Sequence, residues 1–219
     1  MKRIAWLALA AALIAGCGKE EKSVATQPPP EKEPPKVVKE EKGDGWTRYD
    51  RRSEGFAVEL PDDWVQIDLT SADVETMMRK AAQEQDELKR SLAGQAAAMV
   101  AEGVKFIAGD PKSDKINTGV FTNVNVVVEE IDPKVTAEQY EKSAKGQVSD
   151  MGIQFAFSHK TFPAGKALTM EGRAKAGLIY SYIWVKPGKA YTFTLVTAES
   201  EKPRVKPVLD EMLKRFVVY

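Results

Sequence analysis

Two reactive side-chain types are nearly absent from this 219-residue sequence: it has one Cys, Cys17, and one His, His159. A lone imidazole on a strand-like segment is a candidate general base, metal ligand or ligand contact. A surface or partly buried structural histidine is the plainer reading. The segments Asp62-Asp63, Asp110 to Asp114 and Glu129-Glu130-Asp132 gather carboxylates of the kind that hold Ca²⁺ or Mn²⁺. None has the spacing of an EF-hand loop, and solvated turns account for them, so no metal site is assigned. Asn123 and Asn125 fall on the strand face opposite Val124, Val126 and Val128. There they could contact a ligand or partner, or simply satisfy neighbouring backbone. No Gly-x-Ser-x-Gly elbow, Gly-rich phosphate loop or zinc motif occurs. A Ser-His-Asp site is defined by geometry and stays open. The expectation is a protein that is not an enzyme and carries no cofactor.

Composition narrows the partners. Lys plus Arg number 32 and Asp plus Glu 32, so no basic excess points to nucleic acid. A hydrophobic content of 43% allows a folded core. A single Cys excludes an internal disulfide framework.

The N-terminus gives Cys17 a different role. Lys2 and Arg3 precede an uncharged apolar run, Ile4 to Ile14, too short for a spanning helix and suited to the core of a secretory signal. The run ends Ile14-Ala15-Gly16-Cys17, which resembles the bacterial lipobox. That resemblance implies a signal peptide over 1–16, cleaved to leave a diacylated Cys17 as the first mature residue. More than one acyl chain gives stable membrane attachment. Gly18, being other than Asp, implies the outer membrane facing the periplasm if the source is diderm.

A tether follows, so that 17–44 reads as lipidated Cys plus disordered linker. It holds Pro28, Pro29, Pro30, Pro34 and Pro35 among dense Lys and Glu, with too little apolar surface to offset ordering entropy. In extended polyproline form it spans roughly 80 Å at ~3.1 Å per residue. A Pro-rich docking motif is the sharper alternative to a spacer.

Residues 45–219 form one domain. Trp46 to Tyr49 and Phe56 to Leu60 read as paired strands, with Trp64 folding back onto the sheet. From Ser71 to Glu102, Val74, Met78, Ala81, Gln85, Leu88, Leu92, Gln95 and Met99 share one helical face, which Gly94 could break into two helices. Lys105–Ala108 and Phe121–Glu130 read as strands around a polar loop, Asp110 to Gly119. Thr136-Ala137-Glu138-Gln139 is a capping box opening a helix to Met151. Ile153–Thr161, Lys166–Arg173 and Leu178–Val185 are strands. Leu178–Val185 is apolar on both faces and so should be covered on both sides. Tyr191, Phe193 and Leu195 line its hairpin partner. A helix with Val205, Leu209 and Met212 on one side closes the chain, and Phe216–Tyr219 returns as an edge strand. The Met residues on these helices read as core, or as a groove for an apolar partner.

An antiparallel sheet with helices on both faces is the simplest architecture. Gly55-Phe56, Pro61 and Trp64 are similar to the opening of the PsbP-like domains, which include the photosystem II extrinsic protein, the Ran-binding Mog proteins and LpqN-type lipoproteins. Asn123 to Val126, Phe162 to Ala167, Ala190 to Thr194 and Lys214 to Phe216 fit that resemblance in order. It implies an α+β fold, a three-layer α/β/α sandwich around a mainly antiparallel sheet. One fold hosts unrelated roles; known members act mainly in binding or assembly. The expectation is therefore a lipid-anchored, non-enzymatic envelope module that recognises a protein partner. The alternative is a carrier or sensor of a small apolar or glycolipid ligand.

Overall fold

In a computed structural model the described residues are 38–67, 99, 103–149, 154–174 and 177–219. The signal segment, Cys17, the tether up to residue 37 and nearly all of the Ser71–Glu102 helix expectation lie outside them, as does the end of the next helix at Met151.

Two antiparallel sheets carry the fold. The smaller runs β1 (Val38–Glu41), β2 (Trp46–Arg51), β3 (Phe56–Pro61) and, at its far edge, β11 (Val217–Val218). The larger has seven strands. In spatial order they are β4 (Val65–Ile67), β5 (Val104–Gly109), β6 (Asn123–Glu130), β10 (Lys189–Thr197), β9 (Leu178–Lys186), β8 (Gly165–Arg173) and β7 (Gln154–Phe162). A short helix α1 (Lys115–Thr118) lies in the β5–β6 loop. Helix α2 (Ala137–Ser149) connects β6 to β7, and α3 (Lys202–Arg215) follows a 3₁₀ turn at Glu199–Glu201.

Strand periodicity puts two cores on the two faces of the large sheet. Val124, Val126 and Val128 of β6, Tyr191, Phe193 and Leu195 of β10, and Tyr180, Tyr182 and Trp184 of β9 point one way. They meet Val205, Leu209 and Met212 of α3 and Tyr49, Phe56, Val58 and Leu60 of the small sheet. Phe216 sits at their junction, its ring centroid 4.9 Å from Trp184 and 5.4 Å from Phe193. On the opposite face Leu168, Met170 and Ile183 pack with Tyr140, Ala144 and Val148 of α2, and with Met99. Leu178–Lys186 is thus buried on both sides, as its doubly apolar sequence requires.

The sandwich differs from one sheet between two helical layers. The layer opposite α2 is part helix and part sheet. Strands β2 and β3 turn Tyr49, Phe56, Val58 and Leu60 into the shared core. Every β3 residue from Phe56 to Leu60 is buried, so the other face of the hairpin is covered as well. There Arg48 bonds Glu59 at 3.0 Å, and Arg215, which also pairs with Glu59, stacks over Trp46 at 4.6 Å. The chain also joins the fold before Gly45, because Val38–Glu41 pairs with β2.

Two short elements have weak sequence signals. β4 has three residues, and α1 falls in a loop read as polar throughout. That loop is fixed by Glu201, the residue preceding α3. Its carboxylate accepts hydrogen bonds from the Thr122 hydroxyl, the Ser113 hydroxyl at 3.3 Å and the Asp114 amide at 2.9 Å. Arg204 bridges Glu201 at 3.2 Å and Asp110 at 2.5 Å.

Candidate functional site

A cleft of about 410 Å³ opens where the first turns of α2 cross β7, β8 and β9. Its position follows from local chemistry. Thr136 caps α2: its hydroxyl accepts the Gln139 amide at 3.2 Å, and the Gln139 side-chain oxygen accepts the Thr136 amide at 2.9 Å. Tyr140 then turns inward, and its hydroxyl donates to Glu129 of β6 at 2.8 Å. Burial pushes the Glu129 carboxyl pKa up, against the pull of that hydrogen bond.

The floor is apolar: Leu168, Ile183, Val185 and the Tyr140 ring. Leu168 and Ile183 face each other across β8 and β9. Charges on the rim come from three elements, Glu138 and Glu141 from α2, Lys166 from β8 and Lys186 from β9, and the His159 imidazole of β7 stands beside them. An apolar base with a few convergent polar groups is the usual composition of a ligand or partner site.

His159 Nε2 lies 3.1 Å from Glu141, which also pairs with Lys145 at 2.7 Å. The Lys145 hydrogen bond, opposed by partial burial and supported by His159, holds the Glu141 carboxyl below its ordinary range. Lys145 in turn lies 5.1 Å from the centre of the Phe157 ring. The Glu138 carboxyl is lowered by its own backbone amide and then by the Thr136 hydroxyl.

The structure does not bring the three sequence candidates together. His159 lines the cleft. Asn123 and Asn125 lie on the same sheet face but on β6, with β10 between them and β9. Asn125 falls in a buried polar row with Thr194 and Ser181, whose hydroxyls are 3.1 Å apart. Asn123 donates to the Phe121 carbonyl at 2.8 Å, and its side-chain oxygen has no hydrogen-bond partner among the described residues.

The carboxylate clusters are engaged elsewhere. Asp110 is neutralised by Arg204, Asp114 accepts the Asn117 amide, Asp63 pairs with Lys112 and Asp62 accepts the Thr47 hydroxyl. Among the described residues no three metal-ligating side chains converge. Nothing in the sequence marked Glu138, Glu141, Lys166 and Lys186 as site residues, although Glu138 lies in the capping box. They come from three separate elements, and only the fold of α2 over the β8–β9 pair makes them neighbours.

No protein-family profile and no curated protein matches this sequence. Among solved structures it is similar to cyanobacterial PsbP (CyanoP) from Synechocystis, at 17% identity and a TM-score of 0.51, over 80% of this chain and 93% of that one. LpqN of Mycobacterium tuberculosis, described as involved in cell envelope biogenesis, gives 10% identity and 0.45, covering 84% and 90%. The Saccharomyces cerevisiae Ran-binding protein Mog1p gives 10% and 0.43, covering 84% and 96%. The correspondence of folds rests on the first of these. The domain has the PsbP-like fold.

Proposed function

We propose that this chain is a lipid-anchored, non-enzymatic binding or assembly module of the bacterial cell envelope, which receives a protein partner in the α2 cleft. The observation that carries the binding role is the cleft itself: an apolar floor partly open to solvent, ringed by charges from three elements. The anchor rests on Cys17 and its lipobox-like context, with the Pro-rich segment as spacer. Gly18 after Cys17 favours the outer membrane in a diderm cell.

Two experiments test the parts separately. Globomycin treatment or Cys17→Ser should abolish acylation and leave unprocessed or soluble protein; normal maturation of the Ser variant would remove the anchor. For the cleft, His159→Trp places an indole at an exposed rim position. It should leave the thermal midpoint within a few degrees of wild type and remove a protein adduct seen by in-cell formaldehyde cross-linking. An unchanged adduct would exclude the cleft as the contact. Copurified lipid in native mass spectrometry, with no protein adduct, would favour the carrier alternative; the cleft volume falls within the ~300–1,000 Å³ of small-ligand sites.

A further inference from the structure

The charges around the cleft fall into two sets. On the acidic side Glu141 is already held by Lys145 at 2.7 Å and His159 at 3.1 Å. The N-terminus of α2 is likewise closed by its capping box. The basic set is not. Lys166 and Lys186 border the apolar floor, and neither has an ion-pair partner among the described residues. Lys186 Nζ lies over Gly165, at the β7–β8 turn, where a Cβ would come within 3.7 Å of it. A cationic ligand would have to take Glu141 from Lys145 and His159. An anionic one would break no ion pair in reaching the two ammonium groups, of which Lys166 acts on Glu138 only through space.

We infer that the partner presents an acidic, apolar segment: a large aliphatic or aromatic side chain seated on Leu168, Ile183 and Val185, followed by a carboxylate that reaches Lys166 and Lys186. This rests on the reading of the chain as a protein-binding module and names the chemistry of what it binds. The area removed from water comes chiefly from the partner's own side chain, because Leu168 and Ile183 are already nearly buried. The lysines supply selectivity, since rim charges choose between partners more than they tighten binding.

Fluorescence polarisation with full-length protein in phosphatidylcholine nanodiscs tests this. The probes are fluorescein-labelled Ala-Leu-Phe-Glu-Glu-Ala and its Ala-Leu-Phe-Gln-Gln-Ala counterpart. The acidic probe should bind about five- to tenfold more tightly, the range expected of two exposed pairs. Lys166→Gln with Lys186→Gln should erase the difference, and Lys166→Arg with Lys186→Arg should keep it. Equal binding of both probes to the wild type, or discrimination surviving in the Gln variant, overturns the inference. If neither probe binds while the His159-dependent adduct persists in cells, the acidic segment is wrong and the binding module stands. If the adduct is absent too, both fall.

Discussion

Gly55 has φ +91°, and a Cβ there would lie 2.3 Å from the Tyr191 hydroxyl oxygen. Both facts exclude a side chain: a positive φ strains any L-residue, and the hydroxyl occupies the space. Gly55→Ala should cost about 1–3 kcal/mol in denaturant titration. Tyr191→Phe should recover part of that cost in a double-mutant cycle, since it removes the clash and leaves the φ strain. Glu201 offers a test in pH. Burial disfavours its charge, yet the Thr122 hydroxyl, the Asp114 amide and Arg204 prevail and hold its carboxyl below the ordinary 4.5. A lowered folded value means that its contribution is whole above the unfolded value and is lost as pH falls through the folded one. Glu201→Gln should therefore cost about 2 kcal/mol at neutral pH and flatten the acid side of the stability profile. An unchanged acid limb would show that Glu201 does not hold the β5–β6 loop. In the sequence, Gly55 was legible as part of the Gly-Phe opening. Glu201 was not, because its partners in the β5–β6 loop and at Thr122 lie 79 to 88 residues away.

At the scale of elements, α2 sets the cleft, and its cap sets α2. Thr136→Ala removes the hydroxyl that accepts the Gln139 amide and supports Glu138. The cost should be about 1 kcal/mol, with faster amide hydrogen exchange confined to the first turn of α2 and weaker binding of the acidic probe. Exchange spread evenly over the domain would instead mean that the cap serves global stability alone. This element was legible because a capping box is a local signal. So was β9, whose alternate residues divide between two cores as Tyr180, Tyr182 and Trp184 against Ile183 and Val185. β1 gave no such pattern, since all four of its side chains are exposed and it is held only by pairing with β2.

For the whole molecule, periodicity indicated which residues are buried but not which sheet buries them. The β2–β3 hairpin has the same alternation whether it extends the main sheet or crosses it. The strand pairing puts it in a separate sheet, and Tyr49 packs against Phe106 of the main sheet with ring centroids 5.4 Å apart. The cleft was illegible for the same reason, being made where β7, β8, β9 and α2 meet. The described residues form a sandwich with α3 and the small sheet on one side of the large sheet and the α2 cleft on the other. The proposed role predicts partner contact on the cleft side and none at α3. The direct measurement is photo-cross-linking in living cells, with p-benzoylphenylalanine at His159 in the cleft and, separately, at exposed Lys214 on α3. The account predicts a discrete protein adduct from position 159 and none from position 214. No adduct at 159, or the same adducts from both positions, would contradict it.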